Sequence, residues 1–272
     1  MKDGVEVSVY MIVHNGARFI RAAVDSILAQ SFPDFEFVVI DDGSTDSSPE
    51  ILASYRDPRL RVIHQENQGR PRARNRALAE CQGRFIAVID SDDLAKPERL
   101  ARQVEYLRAH PEIGVLGADH LFIDEMGRTV SRVRLPPEHE KLRRLIVIRN
   151  SIPLSAAMFR KDVADAIGGY DETFVFCQDH DFLVRAAARF RFAALPEVLA
   201  ARRIHGSMIM MTRNRENMKH AMRVRRRAIQ LFGMPWYYHF RYFHLLLLIL
   251  MPQWMISLLL RIRCWLGAVS QA

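Results

Sequence analysis

Cysteine is scarce in this chain of 272 residues. Cys81, Cys177 and Cys264 are odd in number and far apart, so no disulfide framework or zinc-ligand spacing follows, and a reducing cytosol is the expected setting. The N-terminus, "MKDGVE", lacks the apolar core of a signal peptide. Internal repeats and low-complexity tracts are missing as well, which argues against a solenoid or a disordered chain. Two glycine motifs are also absent. A dehydrogenase would need G-x-G-x-x-G after its first strand, where this chain reads "HNGARF", and the phosphate-binding G-x-x-x-x-G-K-[ST] of a P-loop kinase does not occur. Acidic residues nearly vanish at the end: from Arg202 onward there are 12 Lys and Arg against the single acid Glu216. That leaves 27 basic and 30 acidic residues in positions 1–201, so the net charge of +8 belongs to the tail alone.

What is present is enough for one large domain, or a domain with an appendage. "VEVSVYMIV" (5–13) and "FEFVVI" (35–40) are continuous apolar runs of the kind buried on both faces of a parallel sheet. "RLRVIH" (59–64) and "RFIAVI" (84–89) predict two more strands. Between them, Phe19, Ile20, Val24, Ile27 and Leu28 recur at helical spacing, and residues 70–81 and 96–107 predict helices, the latter with Pro97 near its start. Ser47 and Glu50 have capping-box spacing. Such alternation predicts an α/β fold with helices on both faces of a mostly parallel sheet. After residue 113 the rhythm changes to mixed: strands at 113–124 and 128–135, a helix at 137–148, a strand at 155–160, a helix at 179–190 and an extended run at 192–205.

In open parallel sheets ligands bind beyond the carboxyl ends of the strands. Two acidic clusters fall there, Asp41–Asp42 and "DSDD" with Asp90, Asp92 and Asp93. Clustered carboxylates raise one another's pKa unless a cation lies between them, and they suit a hard ion such as Mg²⁺ or Mn²⁺ that shares phosphate oxygens with a substrate. Asp46 reads as a turn or cap residue.

Together "VSVYMIVHNGARFIRAAVDSILAQSFPDFEFVVIDDGSTDSSPEIL", "NQGRPRARNRALAECQGRFIAVIDSDD", "GGYDE", "CQDHDFLVRAA" and "RRIHGS" resemble the family 2 glycosyltransferases of GT-A fold, in order over about residues 5–207. The resemblance implies inverting transfer of a sugar from a nucleotide diphosphate donor, a UDP-sugar above all, to a glycan or lipid-linked acceptor. It puts Asp90 and Ser91 at the donor, with Asp90 on ribose or sugar, and Asp92 on the metal. Asp41 or Asp42 would accept a hydrogen bond from the base, and Arg74 would pair with phosphate. "IVHN" stands where the family reads Pro-x-Tyr-Asn, so Ile12 replaces the proline and His14, beside Asn15, replaces the tyrosine as a surface for the base. Asp179 in "CQDHD" matches the general base, with Gln178 in place of the usual glutamate. His205 matches a position that helps hold metal or diphosphate. "GGYDE" implies an acceptor site, with Gly168 and Gly169 permitting a tight loop, Tyr170 offering an aromatic face to a sugar, and Asp171 beside it. A nucleotidyltransferase and a non-catalytic nucleotide-sugar-binding scaffold are the alternatives.

The tail divides the chain at residues 212 and 213. From Tyr242 to Leu260 no Lys, Arg, Asp or Glu occurs. As one helix that stretch would be about 28 Å long, but Pro252 interrupts it. Arg241, Arg261 and Arg263 bracket it, and Trp236, Tyr237, Trp254 and Trp265 suit an interface. This apolar company selects a membrane surface over nucleic acid as partner. A monotopic anchor at the cytoplasmic face of the inner membrane, serving surface polysaccharide or lipopolysaccharide assembly, is the expectation; a single span and a hairpin packed on the body or in a homodimer are the alternatives.

Overall fold

The computed structural model describes residues 5–205 and 215–235. Its first half alternates strand and helix: β1 (Val7–Val13), α1 (Ile20–Leu28), β2 (Phe35–Asp42), α2 (Ser48–Ala53), β3 (Leu60–Gln65), α3 (Arg70–Glu80), β4 (Phe85–Val88), β5 (Leu94–Ala95) and α4 (Arg99–Ala109). The second half is mixed: β6 (Ile113–Ile123), β7 (Thr129–Val133), α5 (His139–Ile148), β8 (Met158–Arg160), α6 (Lys161–Ile167), α7 (Gln178–Ala187), β9 (Arg191–Arg203) and α8 (Arg215–Leu231).

The sheet order is β3-β2-β1-β4-β8-β6-β9-β5, with β7 on β6. β3, β2, β1 and β4 are parallel, so their carboxyl ends share one edge. β8 then pairs antiparallel with β4 and β6, while β9 runs parallel to β6. β1 and β2 carry apolar side chains on both faces because both faces are covered. Tyr10, Val38 and Ile40 join one core with α3, α5, α7 and α8; Val9, Met11, Phe37 and Val39 join the other with α1 and α4. At about 1.5–3 kcal/mol for each fully buried large apolar side chain, these two layers hold the strand ends in place.

Local departures from the sequence expectations have local causes. Ser47 makes no side-chain cap; Asp46 Oδ1 accepts the Ser48 N–H and its Oδ2 accepts that of Ala17, which bears out a turn role for Asp46. α4 begins at Arg99 rather than 96, because Leu94–Ala95 pair with β9 and the Lys96 N–H binds the Leu199 carbonyl, holding the chain extended. Residues 154–156 form a 3₁₀ turn before the short β8 instead of a strand from 155. α8, on the tail side of the boundary expected at 212/213, packs Val224, Ala228 and Ile229 into the core beside α5 and α7. The apolar stretch 242–260 lies outside the described residues, and among those no helix is long and apolar enough to cross a membrane.

Candidate active site

The site gathers at the shared carboxyl edge of β1, β2 and β4. Val13 is in register with Asp41, which is in register with His64, so His14 and Asp42 emerge side by side. Asp42 accepts from Gln65 Nε2 (2.7 Å) and from the N–H groups of Gln68 and Gly69 (2.9 and 3.0 Å). That uses three of about four lone-pair positions on the carboxylate. Asp41 accepts from the Ser44 N–H and sits 2.8 Å from His64 Nδ1. Both carboxylates are buried and therefore shape the loops after β2 and β3. Gly43 in that loop has φ +72°, and a Cβ there would lie 2.7 Å from the Asn67 backbone nitrogen, so only glycine fits. His14 is exposed; its Nδ1–H donates to the Asp42 carbonyl at 2.9 Å, which leaves Nε2 to accept from Asn67 Nδ2 at 3.2 Å. Asn15, at φ 55°, accepts the Thr45 N–H and so ties the first loop to the second.

The three carboxylates of "DSDD" fan out to different partners. Asp90 Oδ1 accepts from Arg74 Nη2 at 2.9 Å. Desolvation opposes its charge, but Arg74, with Arg70 and Arg202 nearby, outweighs this and holds the carboxyl below its ordinary range. Asp92 Oδ2 lies 2.8 Å from His205 Nε2. Asp93 turns inward, where its Oδ1 accepts the Arg203 N–H and anchors the end of β9. Burial, with Asp92 and Asp90 beside it, pushes Asp93 up to about 7. Ser91 lies against Gly16, at which a Cβ would be 3.3 Å from Ser91 Oγ. The pair predicted from 113 residues apart, Asp92 and His205, is thus brought together. One carboxylate oxygen and one imidazole nitrogen at hydrogen-bond distance fit a Mn²⁺ or Mg²⁺ ion that takes its other ligands from phosphate and water.

Arg74 reaches Asp90 from α3. It is 5% exposed and lies over the Tyr170 ring at 5.4 Å. Burial disfavours its charge, but Tyr170, Asp90, Tyr10 and Asp179 around it favour that charge more strongly. Its Nε and Nη1 have no hydrogen-bond partner among the described residues.

Tyr170 does not present a face to a sugar. It is 2% exposed, stacked on Phe182 at 4.7 Å, with its hydroxyl 2.6 Å from that of Tyr10. The apolar ring is worth more in the core than at the surface, and the Tyr10 hydroxyl satisfies its polar end. Asn75 holds the Tyr170 backbone on both sides, accepting its N–H and donating to its carbonyl. Gly169, at φ +67°, lets this happen: a Cβ would lie 2.7 Å from Asn75 Oδ1. Asp171 accepts from Thr173 and from Arg227. The "GGYDE" residues therefore form a braced loop, with the tyrosine as its anchor.

Asp179 sits in the first turn of α7, partly exposed, and accepts from Asn150 Nδ2 (2.6 Å) and the His180 N–H (2.8 Å). Its neighbour in sequence, Asp181, has a different role. It is fully buried between Arg185 Nε (2.7 Å) and Arg227 Nη1 (2.5 Å). Both of its oxygens are thereby engaged by arginines. Asp181→Ala is expected to destabilise the fold by about 3–5 kcal/mol, because two arginines lose their buried counter-charge. Urea unfolding followed by circular dichroism measures this, and an unchanged midpoint would contradict the role.

Several residues of the site carried no readable signal. Ser155, in the 3₁₀ turn, and Asn150, in a loop, have nothing in their spacing to mark them, and Arg203 stands inside the quoted "RRIHGS" without a role of its own. Ser155 Oγ accepts the Asp90 N–H and binds Asp93, and Arg203 donates to the Asp92 carbonyl. Asn67 and Asn75 stand inside the quoted "NQGRPRARN", and only the folded loops show what they hold.

A sheet edge carrying Asp90 and Asp92, a buried arginine and a carboxylate at a helix start is the arrangement that the resemblance to glycosyltransferases of GT-A fold leads one to expect. Residues 8–168 match the model of glycosyl transferase family 2. An O-antigen biosynthesis glycosyltransferase of Escherichia coli, WbnJ, is 30% identical over 205 residues, covering 73% of this chain and 80% of that one. The chain belongs to glycosyl transferase family 2 and is a glycosyltransferase. Among solved structures, Staphylococcus aureus TarS 1-349 with UDP-GlcNAc superposes with a TM-score of 0.69 at 23% identity, over 82% of this chain and 66% of that one. The mannosyltransferase PcManGT of Pyrobaculum calidifontis, with GDP-Man and Mn²⁺, gives 0.64 at 22%, over 83% and 64%. At such identities the two structures establish the fold.

Proposed function

We propose that this chain transfers a sugar from a UDP-sugar to a hydroxyl of a glycan or lipid-linked acceptor, with inversion, during surface polysaccharide or lipopolysaccharide assembly. The observation that carries it is the edge where Asp92 meets His205 while Arg74 joins Asp90 to the neighbourhood of Asp179. His14 presents its exposed ring to the base beside Asn15, and Asp41 and Asp42 hold the loops around it. Arg74 has unmade hydrogen bonds in a buried place, and phosphate oxygens would satisfy them. Asp92 and His205 would hold Mn²⁺ or Mg²⁺, which when bound offsets the charge growing on the departing diphosphate. Asp90 and Ser91 line the donor side.

The acceptor oxygen attacks the anomeric carbon as Asp179 takes its proton. The bond from that carbon to the diphosphate oxygen breaks, and the nucleoside diphosphate leaves. Inversion needs this one displacement only, so a single base suffices. Both bonds to Asp179 come from N–H donors, which orient the carboxylate and leave lone pairs for the acceptor's proton. Gly169 and Asp171 shape the acceptor side through the braced loop.

Incubation with a panel of nucleotide sugars and Mn²⁺, with a glycolipid extract as acceptor, tests the reading. Nucleoside diphosphate release that depends on the extract is expected. Pyrophosphate release would mark a nucleotidyltransferase, and binding without any release would mark a scaffold.

The uncharged stretch 242–260 with its flanking arginines and tryptophans supports membrane attachment at the cytoplasmic face. Truncation after Pro235 keeps α8 on the body. It is expected to abolish sedimentation with anionic vesicles while UDP binding persists. Full-length protein that stays monomeric in detergent-free buffer and ignores such vesicles would end this part of the reading.

A further inference from the structure

Three arginines of α8 are spent on the body of the protein. Arg225 donates to the Ile148 carbonyl at the end of α5, two residues before Asn150, which holds Asp179. Arg223 donates to Thr173 Oγ1 at 3.0 Å, and Thr173 Oγ1 in turn donates to Asp171 Oδ1 at 2.7 Å. Arg227 Nη1 has two hydrogens and two carboxylates to serve: Asp171 Oδ2 at 3.0 Å and Asp181 Oδ1 at 2.5 Å. Both Arg223 and Arg227 lie over the buried Phe174 ring, at 4.4 and 5.0 Å. Like charges four residues apart on a helix repel by about 0.2–0.5 kcal/mol, so helix propensity does not account for the pair. What lies between and beneath them does: a carboxylate, a hydroxyl and an aromatic face from the loop 168–174.

We propose that Arg227 is a positioning residue for the acceptor half of the site: its Nη1 ties the loop bearing Asp171 to the helix bearing Asp179, through Asp181. Asp179 is two residues before Asp181 in α7, so anchoring Asp181 fixes the helix start from which Asp179 projects. Arg185 braces the same unit from the opposite end, donating to Asp181, to the Ile167 carbonyl and to the Gly169 carbonyl. With Asn75 holding Tyr170, the loop is fastened to α3, α7 and α8 together. Arg227 touches none of the donor-side residues in this network, so its loss acts on transfer and spares the nucleotide. The proposal rests on Asp179 being the base.

The test uses the full-length protein as R227M, R227K, D171N and D179N. Three readouts are compared: calorimetric UDP affinity with Mn²⁺, acceptor-dependent UDP release from the UDP-sugar selected by the panel, and hydrogen exchange across residues 168–182. A displacement of about 1 Å at a catalytic group costs about 10²-fold in rate, and R227M is expected to lose transfer on that scale with UDP affinity unchanged. Exchange should quicken in 168–182 and not in β1 or β2. R227K, whose ammonium reaches one carboxylate at a time, should recover part of the loss. D171N, which keeps the Asp181 pair, should lose transfer without losing stability. Wild-type transfer in both R227M and D171N, while D179N is impaired, overturns the proposal and spares the base. Loss of UDP binding in step with transfer, with exchange raised throughout, reduces Arg227 to a fold-stabilising role and overturns it too. If R227M does not fold, D171N decides alone. Normal transfer in D179N would instead overturn the base assignment itself.

Discussion

Asp179→Asn is expected to lower sugar transfer by about 10²–10⁴-fold while donor affinity stays within about twofold of wild type. The amide is the same size: its single oxygen can keep the His180 N–H, and its NH2 can donate to Asn150 Oδ1 once that side-chain amide flips. It cannot take a proton from the acceptor hydroxyl. The loss therefore falls on the chemical step, in kcat with KM for the donor unmoved. Single-turnover release of nucleoside diphosphate, compared with calorimetric binding of UDP, separates the two. Transfer at a near-normal rate would mean that another group is the base, and Asp181 is not available for that role because both of its oxygens are buried against arginines.

Asp92→Asn is expected to remove measurable turnover and to make UDP binding insensitive to Mn²⁺. The amide keeps the 2.8 Å approach to His205 within reach but gives up the charge that draws a divalent ion. The expected phenotype differs from that of Asp179→Asn, since loss of a carboxylate that would hold the ion would weaken donor binding itself. Titration of Mn²⁺ into the UDP-bound protein measures this directly. A mutant whose UDP affinity rises with Mn²⁺ as in wild type would remove Asp92 from the metal. Asp90→Asn provides the contrast: its partner is Arg74, so Mn²⁺ dependence should persist in that variant.

Much of this was legible in the chain itself. The apolar runs of β1, β2 and β4 declare a sheet covered on both faces, because no solvent-facing strand tolerates "VSVYMIV" or "FIAV" without alternation. Parallel connection then sends the acidic turns after β2 and β4 to one edge, which is why the sequence alone predicts Asp42 and Asp90 on the same side of the sheet. The pairing of His205 with Asp92 could be expected only by resemblance, since nothing local joins positions 113 apart. The burial of Tyr170 has a physical reason that the sequence does not carry: a loop tyrosine beside two glycines has the same local chemistry whether it faces a sugar or plugs a core, and only the position of Phe182 and Tyr10 decides.

The basic run at the end shows the same division most sharply. Composition alone determined that positive charge is concentrated after residue 201, and that an uncharged stretch follows it. The helix over residues 215–231 and its apolar side come from the structure. Charge carries no address, however. Arg223, Arg225 and Arg227 have the same local neighbours whether they meet lipid phosphates or the protein's own carbonyls and carboxylates. The tertiary structure gave those three partners on the protein itself, Arg223 while still exposed, because Asp171, Asp181, Thr173 and the end of α5 are brought beneath them by the packing of Val224, Ala228 and Ile229. Arg215, Lys219 and Arg226 remain on the exposed side. Long-range burial chose the partners, and the sequence could supply only the charges.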